Sequence, residues 1–265
     1  ANDAMQFSAG VNLNYFYDRA VNKEFKDIDI FLNNFQQSLY QLQHAKFPVV
    51  SCPSGLAIGG GYEVISQTSF IAAHSNSVLG LVESLVGLIP AGGGCKEMLR
   101  RWANHSDIKN DPKQLALKVF NLIGYATTAD SPIKAKAQQF LGEQDIMVMS
   151  KDRLIEEADK IIFSNKENYS SLDSATFSLP GSTVMSDMMD ILYELKDKKV
   201  IGEHGIEVGK KLGYMLSGGN TTPSTILTEQ NLYDLEREIF IDLISQKPTQ
   251  QRIRHTLDTG KPLFN

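Results

Sequence analysis

The spacing of apolar residues changes character along this chain. From Asp29 to Ala45 they fall at Ile30, Phe31, Phe35, Leu39 and Leu42, the three- and four-residue rhythm of an amphipathic helix. The rhythm then shortens. Phe47-Pro-Val-Val-Ser-Cys52 and Ser69-Phe-Ile-Ala-Ala-His74 read as strands, with Pro53-Ser-Gly55 as a turn. Between them Gly59-Gly60-Gly61 breaks the chain ahead of a short helix from Tyr62 to Ser66. Strand, glycine turn, short helix, strand is an α/β order.

Beyond Pro90 the helical rhythm takes over. Ala91-Gly-Gly-Gly94 leads into a helix through Trp102. Asp111-Pro-Lys-Gln114 has the form of a capping box, with Pro at the first helical position. Ser131-Pro132 opens a further helix ending near Gly142, and Ser150 is placed to cap one over Arg153 to Phe163. Residues 165–181 are polar and carry Pro180-Gly181, so they read as a linker or long loop. A last helical block runs from Met185 to Leu257, strongest from Thr228 to Ile244, where Leu232, Leu235, Ile239 and Leu243 share a face. The chain divides on this basis at 1–103, 104–164, 165–181 and 182–265.

Composition narrows the function classes. The 265 residues are 42% apolar and 22% charged, with net charge −5, ordinary for a globular protein and without the basic footprint of nucleic-acid binding. The longest apolar run, Val78 to Pro90, is too short and too glycine-rich for a membrane span. No basic and apolar leader opens the sequence. Cys52 and Cys95 lack metal or redox spacing, and the five histidines form no paired motif. A cytoplasmic protein with reduced thiols and no metal is the expectation.

Within that run one residue is out of place. Glu83 interrupts Val78-Leu-Gly-Leu-Val-Glu-Ser-Leu-Val-Gly-Leu-Ile-Pro90, and Glu63 follows the triple glycine twenty positions earlier. A carboxyl in apolar surroundings is desolvated, which raises its proton affinity toward the range useful in proton transfer. Glu63, at the first turn of a helix, is favoured as carboxylate by the dipole, whereas Glu83 should hold its proton more tightly. Glycine runs at helix starts expose backbone N–H groups. Neither Gly59-Gly60-Gly61 nor Gly92-Gly93-Gly94 is followed by Lys-Ser/Thr, and there is no GxGxxG, so a phosphate loop is excluded. A packing turn and an oxyanion hole both remain as readings.

Three segments decide between them. Phe7-Ser-Ala-Gly-Val-Asn-Leu13, Gly55-Leu-Ala-Ile-Gly-Gly-Gly-Tyr-Glu63 and Leu81-Val-Glu-Ser-Leu-Val-Gly-Leu-Ile-Pro-Ala-Gly-Gly-Gly94 together resemble the enoyl-CoA hydratase/isomerase (crotonase) family, in its order and with its interval between glutamates. Later segments extend the likeness: Gly202-Glu-His-Gly205, Val208-Gly-Lys-Lys-Leu-Gly213, Leu216-Ser-Gly-Gly219, Asp234-Leu-Glu-Arg-Glu238 and Thr259-Gly-Lys-Pro-Leu-Phe-Asn265. They look like the C-terminal tail of a multifunctional fatty-acid oxidation protein. In that type a 3-hydroxyacyl-CoA dehydrogenase region precedes a crotonase domain.

The resemblance implies an α/β fold, a crotonase-like (ClpP/crotonase) core of ββα units, N-terminally truncated and followed by a mainly helical C-terminal region. It implies hydration of a 2-enoyl-CoA thioester, with Glu63 as base toward water and Glu83 as proton donor. The N–H groups of Ser8 and Gly60 would form the oxyanion hole, and Gln6, Ala9, Gly10, Gly61, Tyr62, Gly92 and Gly93 would bind substrate. No cofactor is implied in this chain, NAD belonging to the dehydrogenase region outside it. A thiolase partner and a homo-oligomer are implied as well. The alternatives are an enoyl-CoA isomerase, or an inactive scaffold or assembly module. Asn12 stands where the family usually has Asp, and Tyr62 where Cys is frequent. Lys247, Arg252, Arg254 and Lys261 are candidates for the CoA phosphates or a solvated helix face.

Overall fold

The computed structural model describes residues 5–108 and 110–265. Its first third is built by alternation of short strands with glycine-started helices. In chain order come α1 (Leu13–Val21), α2 (Phe25–Gln43), β1 (Val50–Ser51), β2 (Leu56–Ile58), α3 (Gly60–Ser66), β3 (Phe70–His74) and β4 (Val78–Gly80). A 3-10 turn, Glu83–Val86, precedes α4 (Gly94–Ala103). The middle holds α5 (Pro112–Gly124), β5 (Thr128–Ala129), α6 (Pro132–Ala137), β6 (Ile146–Val148) and α7 (Leu154–Asn165). The last part holds β7 (Thr176–Ser178), α8 (Met185–Asp197), α9 (Glu203–Leu216), β8 (Ile226–Thr228), α10 (Glu229–Ser245) and α11 (Lys247–Thr259).

Two small sheets carry the α/β part. In one, β3 lies between β1 and β6, parallel to both; in the other, β4 runs parallel to β2 and antiparallel to β5. Ser8 adds one parallel bridge to Ala57 at the free edge of β2. That bridge brings the Phe7–Gly10 segment against the start of α3.

Most expected elements are present, and the departures have local causes. Asp111 caps α5 by accepting from the Lys113 and Gln114 N–H groups, and Thr228 forms a capping box with Asn231. Helix α1 was not signalled, because its nine residues bury only Phe16 and Ala20; Asn12 starts it by accepting from the Asn14 N–H. Helix α6 stops at Ala137 instead of reaching Gly142. Gln139 turns left-handed (φ +57°), and the Phe140 and Leu141 amides fold back onto the Ala135 carbonyl, as in a helix C-cap. The segment 165–181 contains strand β7, paired antiparallel with β8. Phe177 is its one buried side chain, so the alternation was too brief to register.

The C-terminal helices are not an appendage. Leu212, Leu243 and Ile253 belong to the same hydrophobic core as Tyr62, Ile65, Leu88 and Leu99. Burying one stripe of each helix against that core is what holds them. The same packing brings α10 behind the glycine turn that precedes α4, with consequences for the site.

Candidate active site

Gly59 ends β2 with φ +55° and ψ −132°, a conformation that costs an L-residue dearly. Its N–H continues the ladder by donating to Gly80 O at 2.9 Å. A Cβ there would stand 3.2 Å from Glu83 Oε1, so glycine also leaves room for that carboxyl. Gly60 is the first residue of α3, and its N–H is among the donors a helix start cannot satisfy internally. The Gly10–Val11 segment lies directly opposite: a Cβ on Gly60 would be 3.6 Å from the Val11 nitrogen. Among the described residues neither the Val11 nor the Gly60 N–H has an acceptor. Two free amides therefore lie on closely apposed segments.

Ser8 is not one of them. Its N–H donates to Leu56 O at 2.8 Å, and its carbonyl accepts from Ile58 N at 3.1 Å. The edge pairing with β2 consumes the proton that the sequence had assigned to an oxyanion hole. The Ser8 hydroxyl is also engaged, accepting from Gly10 N at 3.1 Å. Three residues on, after Gly10 has turned the chain with φ +103°, Val11 presents a free amide in its place.

Glu63 sits in the first turn of α3, only 3% exposed. Its Oε1 accepts from Gly92 N at 2.7 Å and from Gly94 N at 2.9 Å. Among the described residues Oε2 accepts nothing. Burial pushes the carboxyl up to about 7, against the pull of the two amides. Desolvation thus outweighs the helix-start effect expected for this residue. Glu83 opens the 3-10 turn, with Oε2 buried and unpartnered. Burial, and then the neighbouring Glu63 carboxylate, push it up to about 8. The expected order holds: Glu83 keeps its proton more tightly than Glu63.

The other predicted residues divide sharply. Gly10 shapes the approach to Gly60, and a Cβ on Gly61 would strike Ser8 at 2.6 Å from its Cβ. Ala9 is exposed. Gln6 does structural duty, its Oε1 accepting from Leu56 N at 2.8 Å. Tyr62 is fully buried and donates to Phe140 O at 3.1 Å, so it packs the core and does not narrow a substrate pocket. Gly92 and Gly93 are likewise buried, and their amides point to Glu63 and Glu236; they support the site from behind. Arg252 is buried against Asn265 and the Ser84 carbonyl, which leaves it no open phosphate contact, whereas Arg254 is exposed and pairs with Asp258.

Val11 and Glu236 were missed. Val11 follows a glycine whose positive φ no pattern announces. Glu236 lay hidden on the apolar face of α10, flanked by Leu232 and Ile239. Chemically the assembled site can take a proton at one carboxyl, give one at another, and stabilise an oxygen that gains charge beside the Val11 and Gly60 amides.

Residues 3–110 match the family model for enoyl-CoA hydratase/isomerase. All 265 residues align at 32% identity with the "Probable 3-hydroxyacyl-CoA dehydrogenase" of Bacillus subtilis (strain 168), covering 33% of that protein. A Rickettsia felis protein named for a fatty acid oxidation complex trifunctional enzyme aligns at 28% over 252 residues, 94% of this chain and 31% of its own length. The chain thus spans about a third of these curated relatives. In fold it is similar to an enoyl-CoA hydratase from Rhodobacter sphaeroides 2.4.1, with a TM-score of 0.65 at 15% identity, over 98% of this chain and 75% of that one. With its two glutamates and glycine turns inside it, the segment 3–110 matches the enoyl-CoA hydratase/isomerase family, and the chain has the crotonase fold.

Proposed function

We propose that this chain is the hydratase portion of a fatty-acid β-oxidation protein, adding water across the double bond of a 2-enoyl-CoA. The observation that carries the reading is the pairing of two desolvated carboxyls of unequal proton affinity, Glu63 buried and Glu83 half-buried with its Oε2 enclosed, with two unpartnered amides. The thioester oxygen sits between the N–H groups of Val11 and Gly60. Ionised Glu63 takes a proton from water through its free Oε2 while the hydroxide adds to C3. Protonated Glu83 delivers its proton to C2 as the enolate collapses. One proton then returns from Glu63 to Glu83 and restores the pair, whose titrations belong to both groups together. The step uses only these groups.

An apolar cavity of about 240 Å³ lies beyond the 3-10 turn, lined by Ser84, Leu85, Phe120, Leu192, Val208 and Leu212. Beginning one residue past Glu83, it suits the alkyl tail of the thioester. Cavities of about 150 Å³ accept a benzene-sized guest, so this one takes a chain longer than a crotonyl group. The names of the relatives support a 3-hydroxyacyl-CoA dehydrogenase step elsewhere in the longer protein; the proposal adds NAD for that step, a thiolase partner, a homo-oligomer and a cytoplasmic setting.

The test is spectrophotometric. The intact protein mixed with a 2-enoyl-CoA should bleach the conjugated enoyl absorbance and yield the 3-hydroxyacyl thioester. No bleaching, with new absorbance from a 3-enoyl-CoA instead, would replace hydratase by isomerase; silence with both would leave an inactive module.

A further inference from the structure

The glycine turn that holds Glu63 is shared between two carboxyls in strict alternation. Gly92 N and Gly94 N donate to Glu63 Oε1. Gly93 N donates to Glu236 Oε2 at 2.7 Å, and Lys96 N to Glu236 Oε1 at 2.8 Å. Glu236 is wholly buried and comes from α10, 143 residues after Gly93 in the chain. The carbonyls of the turn are tied as well. Gln36 donates to Ala91 O at 2.9 Å and Gln67 to Gly92 O at 3.0 Å. Tyr233, one turn before Glu236, donates to Gln67 Oε1 at 2.6 Å.

Such a turn has no spare conformations. Rotating the Gly93 peptide to satisfy one carboxyl differently would strip the other of its donors. Steric limits act in the same direction: a Cβ on Gly93 would meet Tyr233 at 2.7 Å, and one on Gly92 would meet Glu63 Oε2 at 2.7 Å. We infer that Glu236 is a positioning residue, which clamps the Gly92–Gly94 turn from behind and thereby fixes the orientation of Glu63. The inference rests on the hydratase reading for its kinetic consequence, not for its geometry. It gives the C-terminal helices a direct hold on the chemistry.

The groups that bear on Glu63 are Glu83 from the 3-10 turn, Cys95 from α4, and Tyr233 and Glu236 from α10; Lys96 faces Glu236. Removing the clamp frees the amides that stabilise ionised Glu63, so its titration must move.

The experiment compares Glu236→Ala and Glu236→Gln with wild type in the intact protein. Glu236→Ala should lower kcat for a 2-enoyl-CoA by about ten- to a hundredfold, the usual consequence of misplacing a reacting group. KM and the calorimetric Kd of a saturated acyl-CoA should stay within about threefold, since the acyl site itself is intact. Glu236→Gln retains one acceptor and should fall between. The limb of the pH–rate profile that reports Glu63 should shift in both variants. Normal kcat with an unshifted limb in a folded variant would overturn the proposal. So would equal losses in kcat and acyl-CoA affinity without a shift, the mark of a merely structural role. If Glu236→Ala fails to fold, Glu236→Gln decides. The Glu63 carboxyl can also be titrated by carbon-13 NMR, so a wild type that never hydrates enoyl-CoA refutes the hydratase reading and still leaves the clamp to be judged by the shifted midpoint.

Discussion

Glu63→Gln separates what Glu63 does for catalysis from what it does to stability. A glutamine oxygen offers two lone pairs, so it can accept from both Gly92 and Gly94 as Oε1 does now. The turn should keep its shape while the base disappears, and hydration should fall at least about a hundredfold. Stability should move the other way. Folding raises the Glu63 carboxyl from 4.5 to about 7 through burial. Between those values the folded chain holds a proton that the unfolded chain has released, so stability falls as pH rises through the window. At about 1.4 kcal/mol per tenfold of proton affinity, the wild type gives up roughly 3 kcal/mol by the upper end. Glutamine has no proton to lose, and its neutrality also relieves Glu83 and Glu236, which the Glu63 charge pushes up. Urea unfolding of both proteins at pH 5 and pH 8 measures the effect. The variant's advantage should be small at the lower pH and about 2–3 kcal/mol at the higher. An advantage equal at both values, or a variant less stable at pH 8, would show that Glu63 is not a desolvated acid.

Two further outcomes follow from spacing around the site. Gly61→Ala would drive a Cβ to 2.6 Å from Ser8 Cβ and 2.8 Å from its carbonyl oxygen, parting the Val11 and Gly60 amides. Turnover should drop by about a hundredfold, as for loss of one oxyanion donor, and a variant with normal kcat would exonerate the amide pair. Gly124→Leu adds a side chain whose first atom would meet only Leu212, at 3.8 Å, and which then fills the apolar cavity. Helix α5 should tolerate it, so crotonyl-CoA turnover should persist while long-chain enoyl-CoA turnover falls about tenfold or more; equal effects on both would detach the cavity from the acyl chain.

What could be read in the sequence was whatever a few neighbouring residues decide. The α/β order of the first third, the Asp111 cap, and the two glutamates each depend on local spacing. Glu83 announced itself because its apolar run is contiguous in sequence. Glu236 obeys the same logic, an acid among Leu232, Ile239 and Leu243, yet its apolar neighbours are spread at helical intervals, where a surface acid reads no differently. The Ser8 assignment failed for a related reason. A motif marks the segment that approaches Gly60, but which N–H stays free depends on pairing with Leu56 across 48 residues, and only the ladder shows that Ser8 is spent. Strand β7 within 165–181 escaped for the same reason, since its partner β8 lies about fifty residues on. The hydrophobic stripe of α10 could be read; its docking behind the Gly92–Gly94 turn is a tertiary fact. The candidate site is therefore half local and half distant: its reacting groups stand within one stretch of chain, and the groups that hold them still are drawn from its far end.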